Sequence, residues 1–298
     1  MFRTFSISGC LAVAGWLAAS AVPALSEEIL IHDAKSQPES LAAAANGDLY
    51  VGSASSPFIY RIRKGTTDVV PFVDASAEGP GTFFFGQLVD NATSTLWSCQ
   101  LTPVPGATPV RRTTALRAFD LASGKEKMRW TLPGDNTTCN DIAIGPDKAV
   151  YVSDTANARI YRLPAGAKSA ELYLEHRNLT GIDGLTFLNG TLYFNSVFFN
   201  NLYRVPVGAD GKPGTPVQIW MDAPVKGIDG IRASGDTLLQ AENGSGKIHS
   251  LTLMDGDRAH VTVLKDGLDT PTGVEPAGDV IWIANRGAGQ AVSIPMPK

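Results

Sequence analysis

The sequence predicts an all-β fold, a six-bladed β-propeller with four antiparallel strands per blade, on three observations. A hairpin pattern recurs about every 45 residues. Turn formers are abundant, with 30 Gly and 19 Pro in 298 residues. No segment sustains the 3.6-residue apolar period of a helix, which removes α/β and helical-solenoid folds.

Each repeat opens with a polar residue and a short apolar run, turns, and returns as a strand marked by a bulky residue. The six hairpins fall at 39–51, 87–98, 140–152, 183–194, 229–240 and 272–283. Their markers are Tyr50, Trp97, Tyr151, Tyr193, Leu239 and Trp282. Third strands are expected at 58–62, 116–120, 159–163, 201–205 and 247–251, and fourth strands at 170–174, 217–220 and 261–264. Four short strands per unit is the footprint of a propeller blade. Segments 28–31 and 291–294 are expected to close the ring.

The domain reading is a leader at 1–26 followed by one propeller domain at 27–298. Arg3, an apolar run at 10–22 and Ala24-Leu25-Ser26 follow the order of a secretory signal. The run is too short to span a bilayer of roughly 30 Å, so no membrane anchor is expected and the location is periplasmic or secreted. Cys99 and Cys139 lie beyond the leader and are expected to pair in an oxidising compartment. In the blade register both fall at the same mouth of the channel.

Charge excludes one class of partner. With 25 Lys+Arg against 29 Asp+Glu and no basic run, the chain is not a nucleic-acid binder. A hydrophobic content of 44% is ample for a core. The expected partner is a small molecule, and the expected state a monomer.

The first strand of each blade begins at one face of the channel, so equivalent residues form a ring: Glu39, Gln87, Asn140, Asp183, Asp229 and Thr272. Glu39, Asn140, Asp183 and Asp229 all lie ten or eleven residues before their markers. Three carboxylates aimed at one axis are costly without a cation among them. Oxygen donors of this kind suit Ca²⁺, with Mg²⁺, Mn²⁺ or Zn²⁺ as alternatives. The four histidines lie off the ring positions, and no Cys-His cluster points to a zinc shell.

The paired segments Gly181-Ile182-Asp183-Gly184-Leu185 and Gly227-Ile228-Asp229-Gly230-Ile231, with Pro38-Glu39 and Cys139-Asn140-Asp141, carry a resemblance. They are similar to the gluconolactonase, regucalcin (senescence marker protein) and related lactonase family. That resemblance implies a six-bladed propeller with a divalent metal at the channel mouth. Glu39, Asp183 and Asp229 are the implied metal ligands. Asn140 is the implied substrate-side residue, with Gln87, Thr138 and Thr272 nearby. Asp183 stands where the family has Asn, and Thr138 where sugar-lactone members have Arg.

The implied activity is metal-dependent hydrolysis of a lactone or related cyclic ester, with Asp229 as general base. Phe83-Phe84-Phe85 and Phe198-Phe199 are expected to shape an apolar wall near the mouth. The alternative is a non-catalytic binding module for a small ligand or protein, because 149–161 resembles an NHL repeat. The carboxylate ring separates the two readings, since an NHL scaffold does not need it.

Overall fold

The computed structural model describes Met1 and residues 26–31, 36–108, 111–208 and 211–297. The leader expected at 1–26 lies almost wholly outside the described residues, as does His32. Among the described residues the chain forms 24 strands and two single-turn 3₁₀ segments, Ser76–Glu78 and Arg177–Leu179. No helix among them is long and apolar enough to cross a membrane.

The described strands make six four-stranded antiparallel units. Their innermost strands are Pro38–Ala43, Phe83–Asp90, Cys139–Ile144, Ile182–Leu188, Ile228–Ser234 and Pro271–Ala277. Each contacts the next, and the last contacts the first, so the units close a ring around a channel. Blades four and five are also joined at their outer edges, where Trp220 and Met221 pair in parallel with Arg258 and Ala259. The sixth blade takes its outermost strand, Glu28–Leu30, from the other end of the chain, paired antiparallel with Gln290–Pro295.

Six apolar clusters hold the ring, each lying between two neighbouring blades. Ala143, Tyr151 and Ile160 of blade three meet Ile182, Leu185 and Phe194 of blade four. A blade buried on both faces needs apolar residues on both, and Leu49–Ser53 is buried at every position. Each such side chain contributes about 1.5–3 kcal/mol through its removal from water. Between blades two and three the cluster includes a disulfide joining Cys99 to Cys139, with Cα atoms 5.2 Å apart.

One local device recurs in all six inner strands: an extra residue interrupts the pairing near the strand's start, between Cys139 and Ile142 in blade three, for example. Such a bulge turns a side chain away from the sheet. It presents Glu39, Phe85, Asn140, Asp183, Asp229 and Thr272 at equivalent places. The next position is Gly86, Gly184, Gly230 and Gly273 in four blades, because neighbouring backbones approach too closely for a side chain. A Cβ on Gly184 would stand 2.7 Å from the Ile231 nitrogen, and one on Gly230 would stand 2.7 Å from the Thr272 carbonyl oxygen.

Gln87 is therefore not a ring member; blade two presents Phe85. The displacement has a simple cause. Asp90 pairs with Thr95 across a four-residue connection, whereas Leu188 pairs with Thr191 across two. Counting back from Trp97 lands two residues late.

Candidate functional site

Glu39, Asp183 and Asp229 come together in the channel with Asn140, and each carboxylate is at most 8% exposed. Asp229 is fixed from two sides. The Gly230 N–H donates to its Oδ1 at 3.0 Å and Asn243 Nδ2 to its Oδ2 at 2.7 Å. Asn140 Nδ2 donates to Asp183 Oδ2 at 3.1 Å and to Thr155 Oγ1 at 3.0 Å. Among the described residues no Lys, Arg or His forms an ion pair with any of the three.

That arrangement shifts all three carboxyls in one direction. Burial, then the facing Asp229 charge, pushes Glu39 well above the usual carboxylate range. Burial, then Asp229 and Glu39, does the same to Asp183. Burial lifts Asp229 to about 7, against the opposing hydrogen bonds from Asn243 and Gly230 and the positive charge of Arg286.

The cavity between these groups has a volume of about 10 Å³. That is room for one water-sized guest. The donors are oxygens throughout: three carboxylates and the amide oxygen of Asn140, whose nitrogen is already engaged. Size and donor chemistry fit a hard divalent cation. The spacing is not that of a finished coordination shell, since no three His, Cys, Asp or Glu side chains among the described residues stand together as a ligand set.

Of the remaining expected residues, Thr272 lines the cavity and Gln87 and Thr138 do not. Gln87 is fully buried, its Nε2 donating to the Phe85 carbonyl at 2.8 Å and to Ser98 Oγ at 2.7 Å. Thr138 lies behind the ring, its N–H donating to Asp154 Oδ1 at 2.9 Å. Thr272 lines the cavity, but its hydroxyl donates to the Pro38 carbonyl at 3.3 Å and so ties blade six to blade one. In the Phe run, Phe84 is core, while the rings of Phe83 and Phe85 lie 5.1 Å apart. Phe198 and Phe199 are exposed. His176, His249 and His260 do not line the cavity.

Sequence reasoning missed Asn243, Asp141, Arg232 and Glu275. Asp141 occupies the place where four blades carry Gly. Arg232 and Glu275 lie three residues after Asp229 and Thr272, where blades one, three and four carry Ala42, Ala143 and Thr186. A charged residue at a position otherwise small or neutral was the available signal.

No protein-family model matches the chain, and neither does the sequence of any curated protein. Solved structures do match it. A candidate gluconolactonase superposes with a TM-score of 0.66 at 17% identity, covering 92% of this chain and 93% of the other. A virginiamycin B lyase from Staphylococcus aureus gives 0.59 at 16% identity, covering 92% and 99%.

The chain is a β-propeller.

A chain of a nidogen/laminin complex matches too, at a TM-score of 0.64, with 15% identity over 84% and 90% of the two chains. At these identities the likeness concerns the fold, and roles must be argued from the residues.

Proposed function

We propose that this protein belongs with the gluconolactonase-like propellers and is an exported, divalent-cation-dependent hydrolase of a lactone or related cyclic ester. The observation that carries this reading is the ring of Glu39, Asp183 and Asp229, buried without a cationic partner around a cavity for one guest. When bound there by these three carboxylates, Ca²⁺ or a related dication supplies a Lewis acid that polarises the ester carbonyl.

The chain's own groups do the rest. Asp229, held by Asn243 and the Gly230 N–H, takes a proton from the attacking water. The water oxygen bonds to the carbonyl carbon, the acyl–oxygen bond of the ring breaks, and the proton passes to the departing alkoxide. The product is a hydroxy acid. Asn140, beside Asp183, orients the substrate, and Phe85 gives it an apolar wall. The proposal includes removal of the 1–26 leader, a periplasmic or secreted location, and a monomer; the Cys99–Cys139 disulfide supports an oxidising compartment.

The test is hydrolysis of a lactone panel with and without a chelator, alongside Glu39→Ala and Asp229→Ala. Each treatment is expected to reduce kcat/KM by about 100-fold or more. Turnover indifferent to all three would end the cation-dependent reading. The non-catalytic binding module is favoured by the NHL-like stretch at 149–161. It predicts ligand capture at the mouth, with no turnover on any member of the panel.

A further inference from the structure

One step below the carboxylate ring, the channel holds an ion-pair network that the proposed chemistry does not use. Arg232, on the inner strand of blade five, is 8% exposed. Its Nη1 and Nη2 donate to Asp141 Oδ2 and Oδ1 at 2.7 and 2.9 Å. Nη2 also donates to the Gln87 carbonyl of blade two at 3.1 Å, and Nε lies 3.5 Å from Glu275 Oε2 of blade six. Asp141 Oδ2 accepts the Leu185 N–H of blade four at 3.1 Å, and Glu275 Oε1 accepts the Ala43 N–H of blade one at 3.2 Å. All six blades meet at this network.

Asp141 and Arg232 line the same cavity as Glu39, Asp183 and Asp229. Asp141 is thus a fourth carboxylate on the cavity wall. Both of its oxygens are occupied by a bidentate guanidinium, the geometry in which Arg binds carboxylate most firmly. The number of anionic ligands governs which hard cation an oxygen site takes and how tightly.

We propose that Arg232 sets the charge preference of the cation site, by withholding Asp141 from the donor set and placing a fixed positive charge on the cavity floor. This rests on the reading of the ring as a divalent-cation site. With Arg232 in place, the entering ion meets three free carboxylates, a set matched to a dication. Without it, Asp141 is released, and four carboxylates favour a trivalent ion. Arg232 is a positioning residue acting through Asp141.

The experiment measures Ca²⁺ and Tb³⁺ binding by calorimetry on the intact chain, comparing wild type with Arg232→Met, Asp141→Asn and the double variant, with circular dichroism as the check on folding. Arg232→Met should bind Tb³⁺ about tenfold tighter or more, raising the Tb³⁺-to-Ca²⁺ preference. Asp141→Asn, which leaves the guanidinium with Glu275 as its remaining acidic partner and frees part of its charge toward the cavity, should weaken Ca²⁺ about tenfold. The double variant, lacking both charges, should return to within about threefold of wild type.

A folded Arg232→Met protein with wild-type affinity for both ions overturns the inference. If that variant does not fold, equal Ca²⁺ affinity in Asp141→Asn and the double variant overturns it instead. Glu39→Ala separates the two levels of the reading. Wild-type binding that is lost in Glu39→Ala but indifferent to positions 141 and 232 removes only the role of Arg232. Absence of Ca²⁺ and Tb³⁺ binding in the wild type removes the cation site itself.

Discussion

At the channel mouth Glu39, Asp183 and Asp229 face one another with no ion pair among the described residues, whereas one step deeper Asp141 and Glu275 share Arg232. Both levels are buried and both are acidic, so burial alone does not distinguish them. The floor sets one guanidinium from within the chain against its two carboxylates and links every blade. The ring leaves its charge unmatched, although Arg286 lies close enough to lower the pKa of Glu39 and Asp229. A fold that neutralises acids at one level has the means to do so at the next. Under the proposed function, the unmatched level is the one that takes an outside charge.

Breaking the floor should have the largest effect. Asp141→Ala removes the bidentate partner of the buried Arg232 guanidinium and leaves it Glu275 alone, and removing one partner of such a pair costs about 3–5 kcal/mol. Urea denaturation of the cation-free protein measures it; a loss below about 1 kcal/mol would mean that the floor is not a structural tie. Next comes the disulfide that anchors the strand carrying Asn140 and Asp141. Cys99→Ser with Cys139→Ser should lower stability by about 2–4 kcal/mol in the same assay.

The ring should respond with the opposite sign. Asp183→Asn removes one of three mutually repelling carboxylates, so the cation-free protein should gain about 1 kcal/mol while Ca²⁺ affinity falls roughly tenfold. Destabilisation by this substitution, with unchanged affinity, would erase the contrast between the two levels.

The smallest effect lies outside the channel, where solvent reaches the ion pairs. Hydrogen bonding from Arg129 is the leading cause that holds Glu78 down to about 2, with Arg117 beside it. Its folded pKa lies below the ordinary value of 4.5. Its contribution is therefore complete above about pH 4.5 and is lost as pH falls through about 2. Glu78→Gln should lower Tm by about 2 °C at pH 7 and converge with wild type as pH falls towards 2, flattening the fall of Tm with acid over that window.

The blades were legible because strand spacing and turn chemistry are local, and a hairpin writes its own signature into a dozen residues. Five ring members could be placed in the same way, by counting from a marker. Phe85 escaped because the count assumed equal hairpins, and the longer connection at 91–94 shifted it. The floor escaped for a different reason. Arg232 and Asp141 are 91 residues apart, and neither has an ion-pair partner on its own strand. Only closure of the ring brings them into contact, so nothing in either neighbourhood announces the pair.

The strand Glu28–Leu30 completes the sixth blade beside Gln290–Pro295, with the Glu27 N–H donating to Ser293 Oγ. Emergence of the chain from a ribosome or translocation channel therefore delivers the two halves of one sheet at opposite ends of the process. Blades one to five can each pair their own strands as they appear, but the last waits for residues some 260 positions away in sequence. Such distant pairing is the slow step of a β-rich fold. Glu39 stands in blade one and Asp229 in blade five, with blade six between them, so a chain arrested before that step has its hairpins and no site. Under the proposed function, closing the last blade and forming the site are a single event.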